Sequence, residues 1–382
     1  MPAQDGYSLT LHNAIGEIPA ADWDLCAGAG NPFLSHEFLS AIEDSGSTGR
    51  RAGWIPWHAA IRDADGAIAC VVSLYEKTHS YGEYVFDHAW AQALDRIGGH
   101  YYPKLQIAVP FTPVPGPRLL RRPGVAIPPL AHGLTEICQE FQHSSVHATF
   151  CTEEEWKEFG RVGWLQRTGV QFHWQNQGWR DFDGFLGALA SRKRKSIRHE
   201  RTKAQSHGLQ FHALRGDDIK PIHWDAFYRF YRSTVDRKWG SAYLKRSFFS
   251  MISERLGARV VLMMACDGDA PVAGALNLLG ADTLYGRNWG VRGDYPFLHF
   301  ELCYYRAIDF ALEHGLARIE AGAQGEHKIQ RGYLPVPTYS VHWIAHHGLS
   351  AAVAQYLEAE RAGVASEILA LQELSPFRHV DN

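Results

Sequence analysis

The chain has 382 residues, of which 46% are apolar and 21% charged, and its formal net charge is −3. This length fits two domains of ordinary size, and the composition excludes a disordered or fibrous chain. The small net charge excludes a protein that coats nucleic acid or anionic lipid with its whole surface, so any polyanion would have to meet a local basic patch.

Cysteine usage and hydropathy indicate the compartment. The six cysteines are scattered without a CxxC pair, which is typical of a reducing environment. Residues 1–17 lack the pattern of a secretory signal, and no stretch approaches about 18 uninterrupted apolar residues. We therefore expect a cytoplasmic protein that does not insert into membranes.

The first half of the chain predicts a short series of strands and helices. In chain order we expect a strand, a helix, a hairpin, a strand, a helix and a strand, at residues 7–14, 37–43, 58–75, 104–109, 134–141 and 146–150. The hairpin turns at Asp65-Gly66, a dipeptide suited to tight antiparallel connections.

The second half repeats this order more clearly. It predicts a strand, two helices, three strands, a helix and a strand, at residues 209–214, 222–235, 248–256, 259–266, 272–279, 283–289, 298–314 and 317–320. Asp267-Gly268 turns the second hairpin. Strand, two helices, three-stranded meander, helix and parallel strand is the order of a GNAT domain, the fold of acyl-CoA-dependent N-acetyltransferases.

The predicted fold class is therefore α/β with mixed sheets, arranged as two tandem GNAT-like domains. The boundary is predicted near Arg167, which gives domains at residues 1–166 and 167–382. The second domain should carry a basic helix near residues 185–206 and a C-terminal helix.

Several long motifs carry a family resemblance. They are Asn31–Leu39, Gly82–Asp87, Tyr101–Leu105, Pro110–Val114, Lys193–Lys195, Tyr285–Gly290, Leu298–Tyr305 and Glu320–Lys328. With these motifs the chain resembles a bacterial family of FemAB-like predicted N-acyltransferases, related to the Fem peptidyltransferases. The resemblance implies N-acyl transfer, with a link to peptidoglycan through the Fem relatives. We expect acyl-CoA or an acyl carrier protein as the donor. The long helical arm of the Fem enzymes that use aminoacyl-tRNA has no counterpart here.

One candidate donor site lies in the first domain. GNAT domains hold the donor pyrophosphate against backbone amides in a loop of pattern Q/R-x-x-G-x-G/A before a helix. The segment Arg121–Ala126, which contains Gly124, fits this pattern, and Arg118 adds charge. The alternative is a proline-rich surface loop with solvated arginines. The equivalent second-domain segment, residues 291–297, departs from the pattern.

Polar residues are densest in the second domain, next to the fourth and fifth strands. They are Arg287, Asn288, His299, Glu301, Glu320, Gln324, Glu326, His327, Lys328 and Arg331. Amine acylation needs a base and a donor for the tetrahedral oxyanion. Glu320, Glu326 and His327 are candidate bases, with His299 and Glu301 beside them. Arg287, Asn288 or a strand-end amide would face the oxyanion. The alternative is a buried ion-pair network that fixes the loop to the helix.

A basic run at residues 191–203 is the local patch that an anionic donor could use. Lys195, Arg198 and Arg201 recur at spacings of three and are expected on one helix face. CoA phosphates, an acidic acyl carrier protein or a tRNA acceptor stem would fit it, although the run lacks the aromatics that read single-stranded nucleic acid. The alternative is a solvated helix.

The sequence therefore predicts a two-domain N-acyltransferase that uses a thioester donor, a small-molecule amine acceptor and no metal. Its site is expected in the second domain, facing the first. The alternative is a non-catalytic GNAT-like module that binds an amino acid or a peptidoglycan precursor.

Overall fold

A computed structural model describes three stretches of the chain, residues 6–238, 242–322 and 325–378. Its contacts divide the chain into two compact units. Unit 1 comprises Met1–Val170 and Pro337–Glu367, and unit 2 comprises Gln171–Val336 and Ile368–Asn382. Residues 337–367, which the sequence prediction assigned to the second domain, thus group with the first part of the chain. The proposed domain boundary at residue 166 stays a prediction.

Unit 1 alternates short strands and helices. Its elements are β1 (Ser8–His12), α1 (Ala20–Ala27), α2 (His36–Asp44), β2 (Trp54–Pro56), β3 (His58–Arg62), β4 (Ile68–Val72), β5 (Leu74–Lys77), α3 (His88–Arg96), β6 (Lys104–Ile107), β7 (Leu120–Arg121), α4 (Ile127–Glu140), β8 (Ser145–Cys151) and α5 (Glu153–Arg161). Three further elements run across the division along the chain, namely β9 (Leu165–Gln175), β15 (Leu334–Ile344) and α12 (His347–Glu373).

The strands of unit 1 pair in two groups. β1, β3, β4 and β7 form a four-stranded antiparallel sheet. β2, β5 and β6 pair antiparallel, β6 pairs parallel with β8, and β8 pairs antiparallel with residues 339–344 of β15. The predicted hairpin is confirmed, because β3 and β4 pair around Gly66 with its positive φ of 79°.

Local chemistry fixes two helix starts in unit 1. Ser35 caps α2 by accepting a hydrogen bond from the Phe38 amide. Thr152 and Glu155 form a capping box at α5. The Glu155 carboxylate also accepts hydrogen bonds from the amides of Arg118 and Leu119, so it joins the start of α5 to the chain before β7.

Unit 2 contains the predicted GNAT order. Its elements are α6 (Phe182–Ala188), α7 (Ser191–Gln205), β10 (Gln210–Arg215), α8 (Pro221–Lys238), α9 (Arg246–Leu256), β11 (Val260–Asp267), β12 (Ala270–Leu279), β13 (Thr283–Val291), α10 (Leu298–Phe300), a π-helical turn (Glu301–Tyr305), α11 (Arg306–Glu313), β14 (Arg318–Glu320) and a 3₁₀ helix (Glu326–Arg331).

The sheet of unit 2 confirms the predicted meander and its parallel partner. β10, β11, β12 and β13 pair antiparallel in sequence order. β14 pairs parallel with β13 and antiparallel with residues 173–175 of β9. The helix predicted at 298–314 is in fact three consecutive segments, because a π-helical turn interrupts it at Glu301–Tyr305.

No helix in the described stretches is both long enough and apolar enough to span a bilayer.

Candidate functional site

The parallel pairing of β13 and β14 in unit 2 ends at the residue pair Tyr285–Glu320. β13 and β14 are paired from Thr283–Arg318 to Tyr285–Glu320, and the ladder ends there although β13 continues to Val291. On its other edge β13 has a β-bulge, since its register with β12 shifts by one residue at Arg287. Bulges re-aim side chains and are frequent beside active sites.

Glu320 lies at the end of this ladder and is almost completely buried, with 5% of its surface exposed. Its Oε1 lies 3.5 Å from Arg318 Nε, and its Oε2 has no hydrogen-bond donor among the described residues. Burial raises the pKa of Glu320 to about 7, although Arg318 and Arg287 oppose the shift. A carboxyl group with this pKa can accept a proton near neutral pH.

His173 is a site residue that the sequence reasoning missed. It pairs with Glu320 across β9 and β14, and its Nδ1 lies 4.0 Å from Glu320 Oε1. Burial lowers the pKa of His173 to about 3, so the imidazole is neutral at physiological pH. The signal in the sequence is a histidine between two aromatic residues, Phe172 and Trp174, which does not distinguish a site residue from a core residue.

Lys328 adds a buried cation to the same neighbourhood. It is 2% exposed, and its Nζ donates to the carbonyl of Gly322 at 2.9 Å, just past β14. Burial lowers the pKa of Lys328 to about 8. Glu320, His173 and Lys328 thus form a group of buried titratable side chains whose charged forms burial disfavours.

His327 belongs to a separate aromatic group. Its Nε2 lies 2.9 Å from the Tyr304 hydroxyl, and its ring is 5.8 Å from that of Phe300 and 6.1 Å from that of His299. The ring of His299 also contacts Trp289 of β13 at 5.2 Å. The structure therefore brings His299 and His327 together, as the sequence analysis expected.

Glu301 has a different environment from the one predicted. It is fully buried in the π-helical turn, where it accepts hydrogen bonds from Arg201 of α7 at 3.2 Å and from Arg306 at 2.9 Å. Arg201 also contacts Asp309. Glu301 therefore lies in a buried ion-pair network, which is the alternative that the sequence left open.

The basic helix α7 has an inner and an outer set of cations. Arg201 faces inward to Glu301, so it does not share an exposed face with Lys195 and Arg198. Lys195 and Arg198 are both exposed, and Arg198 lies 3.5 Å from the exposed Asp183. The surface that α7 offers to an anion is therefore smaller than predicted.

A second ion pair fixes α7 to the 3₁₀ helix. Arg331 Nη2 lies 2.8 Å from Glu200 Oε2, and Tyr305 donates to the same carboxylate. Arg331 also donates to the carbonyl of His327 at 2.7 Å. These contacts position the segment that carries His327 and Lys328.

Arg118, predicted to help bind the donor in the first domain, is instead part of the packing of unit 1. It is 3% exposed, and its Nε and Nη2 donate to the carbonyls of Thr149 and Val114, both at 2.6 Å. Arg121 remains partly exposed and pairs with Glu154, while Gly124 forms a turn with φ of 86°.

The remaining predicted site residues divide by exposure. Glu326 is exposed, and Arg287 and Asn288 are half-buried on β13. Gln324 lies outside the described residues. Across the described stretches, no group of three or more histidine, cysteine, aspartate or glutamate side chains converges as metal ligands.

The topology of both units defines a tandem GNAT-like protein. The chain belongs to the FemAB-like family, described as acting in peptidoglycan biosynthesis or recognition, whose model matches residues 14–379. No curated protein matches the sequence.

Solved structures share the fold at low sequence identity. FemX is 11% identical with a TM-score of 0.55, and the match covers 91% of this chain and all of FemX. L-PGS from Bacillus licheniformis is 8% identical with a TM-score of 0.52, covering 92% of this chain and 98% of that one. The C-terminal domain of a putative lysylphosphatidylglycerol synthetase from Agrobacterium fabrum is 7% identical with a TM-score of 0.53, covering 89% and 95%. Family and fold together support a transferase of the acyl or aminoacyl class.

Proposed function

We propose that the chain is an N-acyltransferase that moves an acyl group from a thioester donor to a primary amine, with Glu320 as the general base. The observation that carries this proposal is the environment of Glu320. A buried carboxyl group with an oxygen that no described residue satisfies, at the end of a parallel strand pair, is costly to maintain for structure alone. Its raised pKa suits proton transfer near neutral pH.

The reaction follows from these groups. The Glu320 carboxylate removes a proton from the substrate ammonium, and the neutral amine attacks the acyl carbonyl. The resulting oxyanion lies towards Arg287 and the amides of the β13 bulge, which supply positive charge and N–H donors. The attack forms the carbon–nitrogen bond, and collapse of the intermediate restores the carbonyl and breaks the carbon–sulfur bond. Protonated Glu320 gives its proton to the departing thiolate, then takes the second proton from the nitrogen and releases it to solvent.

His173 and Lys328 are the two other buried titratable groups near the base. Because His173 stays neutral, it leaves Glu320 free of a tight ion pair that would lower its pKa. Lys328 is held by Gly322 at the end of β14, where its charge would favour the developing oxyanion. His327, His299 and Glu326 remain candidates for contacting the acceptor amine.

For the donor we propose a path along β13, with Arg287 and Asn288 near the thioester and with Lys195 and Arg198 meeting its phosphates. The turn at Arg121 and Gly124 is the second candidate for the phosphates, because Arg121 is partly exposed.

All six cysteines are free, which supports a reducing compartment, and we propose the cytoplasm.

A second donor class is favoured by one observation. The C-terminal domain of the putative lysylphosphatidylglycerol synthetase shares the fold over nearly its whole length, and that protein is named for lysyl chemistry. An aminoacyl ester on tRNA would present phosphates to the same exposed cations of α7. The chemistry at Glu320 is unchanged, because an oxygen ester reacts with an amine in the same way as a thioester.

The test is a donor screen with the purified full chain. Acetyl-CoA, long-chain acyl-CoA, acylated carrier protein and aminoacyl-tRNA are each offered with a mixture of primary amines, and amide products are detected by mass spectrometry. Turnover that falls at least about a hundredfold in Glu320→Gln supports the proposal. Equal turnover in the parent and Glu320→Gln would overturn the role of Glu320. Tight binding of a metabolite with no turnover from any donor would favour the recognition module instead.

A further inference from the structure

One face of the sheet in unit 1 is buried and polar. Side chains alternate between the two faces of a strand, and residues paired across strands share a face. The pairs Lys77–Lys104, Tyr75–Gln106 and Gln106–His147 therefore place one set of polar side chains on one face of β5, β6 and β8. The members of this set are Tyr75, Lys77, Lys104, Gln106, Ser145, His147 and Thr149, and each is at most 1% exposed.

The opposite face of the same strands is an ordinary core. Leu105, Ile107, Val146 and Ala148 pack there with residues of α4. Burying polar side chains on the second face costs free energy unless each group is hydrogen-bonded. The polar face therefore needs its own explanation.

Two carboxylates cover this polar face. Glu83 and Asp87, from the segment 78–87, are 4% and 3% exposed. Lys104 Nζ donates to Glu83 Oε2 at 2.8 Å and also to Asp87, while the Tyr101 hydroxyl donates to Asp87 at 2.7 Å. A buried ion cluster of this kind contributes less to stability than well-packed apolar side chains of the same volume, so stability alone does not account for it.

Several polar atoms in this cluster have unused hydrogen-bonding capacity. Glu83 Oε1, Asp87 Oδ1 and Gln106 Oε1 are buried acceptors without a donor among the described residues. Lys77 Nζ lies 3.8 Å from Glu83 Oε1, which is beyond hydrogen-bond distance. It donates a long hydrogen bond of 3.3 Å to the carbonyl of Tyr81. It also lies 3.9 Å from the ring centre of Trp54.

We propose that this polar face of unit 1 binds a small zwitterion of the α-amino acid class, whose ammonium donates to Glu83 Oε1 and Asp87 Oδ1 and whose carboxylate accepts from Lys77. The net charge of the site indicates the chemical class of the ligand. Two lysines and two carboxylates leave the cluster without net charge, so a ligand with a net charge would be buried uncompensated. A zwitterion satisfies the acceptors and Lys77 together.

The protonation of the cluster agrees with this assignment. Burial lowers the pKa of Lys77 to about 7 and raises the pKa of Glu83 to about 6, because neither is fully compensated by the other charges. Burial alone would lower the pKa of Lys104, but Glu83 and Asp87 raise it, so that lysine stays charged. Lys77 and Glu83 are thus the members that gain most from a ligand of opposite charge.

The segment 78–87 is the route of entry. It contains Gly82 with φ of 82° and Tyr84 with φ of 60°, a left-handed conformation that is uncommon outside glycine. A Cβ at Gly82 would lie 2.6 Å from the ring of Phe111. Tyr81 and Phe86 are more than 60% exposed on the same segment. Because Glu83 and Asp87 of this segment cover the polar face, the segment must move for the site to fill.

The first experiment is a calorimetric titration of the full chain with the standard amino acids, together with ethylamine and acetate as probes of each half. We expect at least one amino acid to bind saturably and at least tenfold more tightly than either half-probe. Glu83→Gln and Lys77→Met should each weaken that binding at least tenfold. Asp63→Asn, which removes a partly exposed carboxylate paired with Arg122 in the same unit, should not change it. Binding by ethylamine or acetate as tight as by any amino acid, or no binding at all, would overturn the proposal.

A second experiment uses the parent protein, so that it does not depend on whether the variants fold. Acetylation of lysines by acetic anhydride is followed by mass spectrometry with and without the amino acid that binds. Labelling of Lys77 should slow at least fivefold when the site is filled, whereas labelling of the exposed Lys157 should not change. Unchanged labelling of Lys77 at saturation would place the ligand elsewhere and overturn the assignment. Glu320→Gln should still bind the amino acid, which separates this site from the proposed acyl-transfer site.

Discussion

The two units treat the end of their parallel strand pair in opposite ways. In unit 1 the ladder between β6 and β8 ends at Ile107–Ala148. The carbonyls of the next two β8 residues are satisfied by the loop before β7, because Arg118 donates to Thr149 and the Gly116 amide donates to Phe150. In unit 2 the ladder ends at Glu320, whose Oε2 has no donor among the described residues. The same fold element is closed by backbone and arginine hydrogen bonds in one unit, and it ends at a carboxyl group with an unsatisfied oxygen in the other.

This difference separates packing from chemistry within one repeated fold. An arginine with four backbone acceptors should stabilise the fold, whereas an unsatisfied buried carboxyl group costs stability, and we expect it to serve function instead. Substitutions can break each side of this comparison, and the largest effect is expected at Arg118.

Arg118→Met should cause the largest loss of stability. The substitution leaves several buried carbonyls without a donor, so the free energy of unfolding should fall by about 3 kcal/mol or more. Arg121→Met, on the partly exposed neighbour, should cost less than about 1 kcal/mol. Urea titration of both variants is the measurement. Equal losses would mean that Arg118 does not have the structural role assigned to it.

Glu320→Gln should lower turnover by about a hundredfold while the chain stays folded, because the amide keeps the size of the side chain but cannot accept the proton. Glu313→Gln, an exposed carboxylate in the same unit, is the control. Steady-state kinetics with the active donor decides the result. If His327→Ala or Glu326→Gln is the damaging change instead, the base lies in the 3₁₀ helix.

Changes at Arg287 and Arg121 should locate the donor. Arg287→Gln is expected to weaken binding of a non-hydrolysable acyl-CoA about tenfold, the loss of one charge-assisted hydrogen bond, and Arg121→Gln is expected to have little effect. Isothermal titration measures both. The reverse result would assign the donor to the turn at Gly124 in unit 1.

The pH profile should follow the ionisation of Glu320. The base must be deprotonated to act, and its pKa is raised to about 7, so kcat/KM should rise about tenfold between pH 6 and pH 8 and then level off. Glu320→Gln should remove this rise from its residual activity. A profile that is flat in the parent across this range would contradict the assignment.

Reversal of Lys195 and Arg198 to glutamate should have the smallest effect. Both are exposed, so the free energy of unfolding should change by less than about 0.5 kcal/mol. Donor affinity should fall severalfold at low salt, with a weaker salt dependence. Lys220→Glu with Arg232→Glu gives the same change of charge elsewhere in unit 2. A similar loss of affinity in that control would indicate a general charge effect.

The strand order was accessible from the sequence because its signals are local. Asp-Gly turns and alternating apolar residues predicted the hairpins, and Gly315 correctly ended the helix before β14. The pairing of β8 with β15 could not be predicted, because it joins residues almost 200 positions apart. The π-helical turn was missed because its sequence has ordinary helical spacing.

The candidate site was only partly accessible for the same reason. Glu320 follows a strand, which is a local pattern, and it was named. His173 lies on a strand that the prediction did not include, and Arg118 was expected to add charge beside the donor motif because the sequence carries no direct information on burial. The cluster of Lys77, Glu83 and Lys104 lies in or beside motifs that the sequence analysis quoted, but their contacts depend on three segments that only folding brings together.

Residues 337–367 complete the sheet of unit 1 late in synthesis, because they follow unit 2 in the chain. β8 has its antiparallel neighbour in residues 339–344, which the ribosome adds only after nearly all of unit 2. Until then β8 keeps an exposed edge with unused backbone donors and acceptors, a state prone to aggregation. Expression of the N-terminal half alone, cut near residue 170, should therefore give an insoluble product. Supplying residues 337–367 on a flexible linker should restore its solubility.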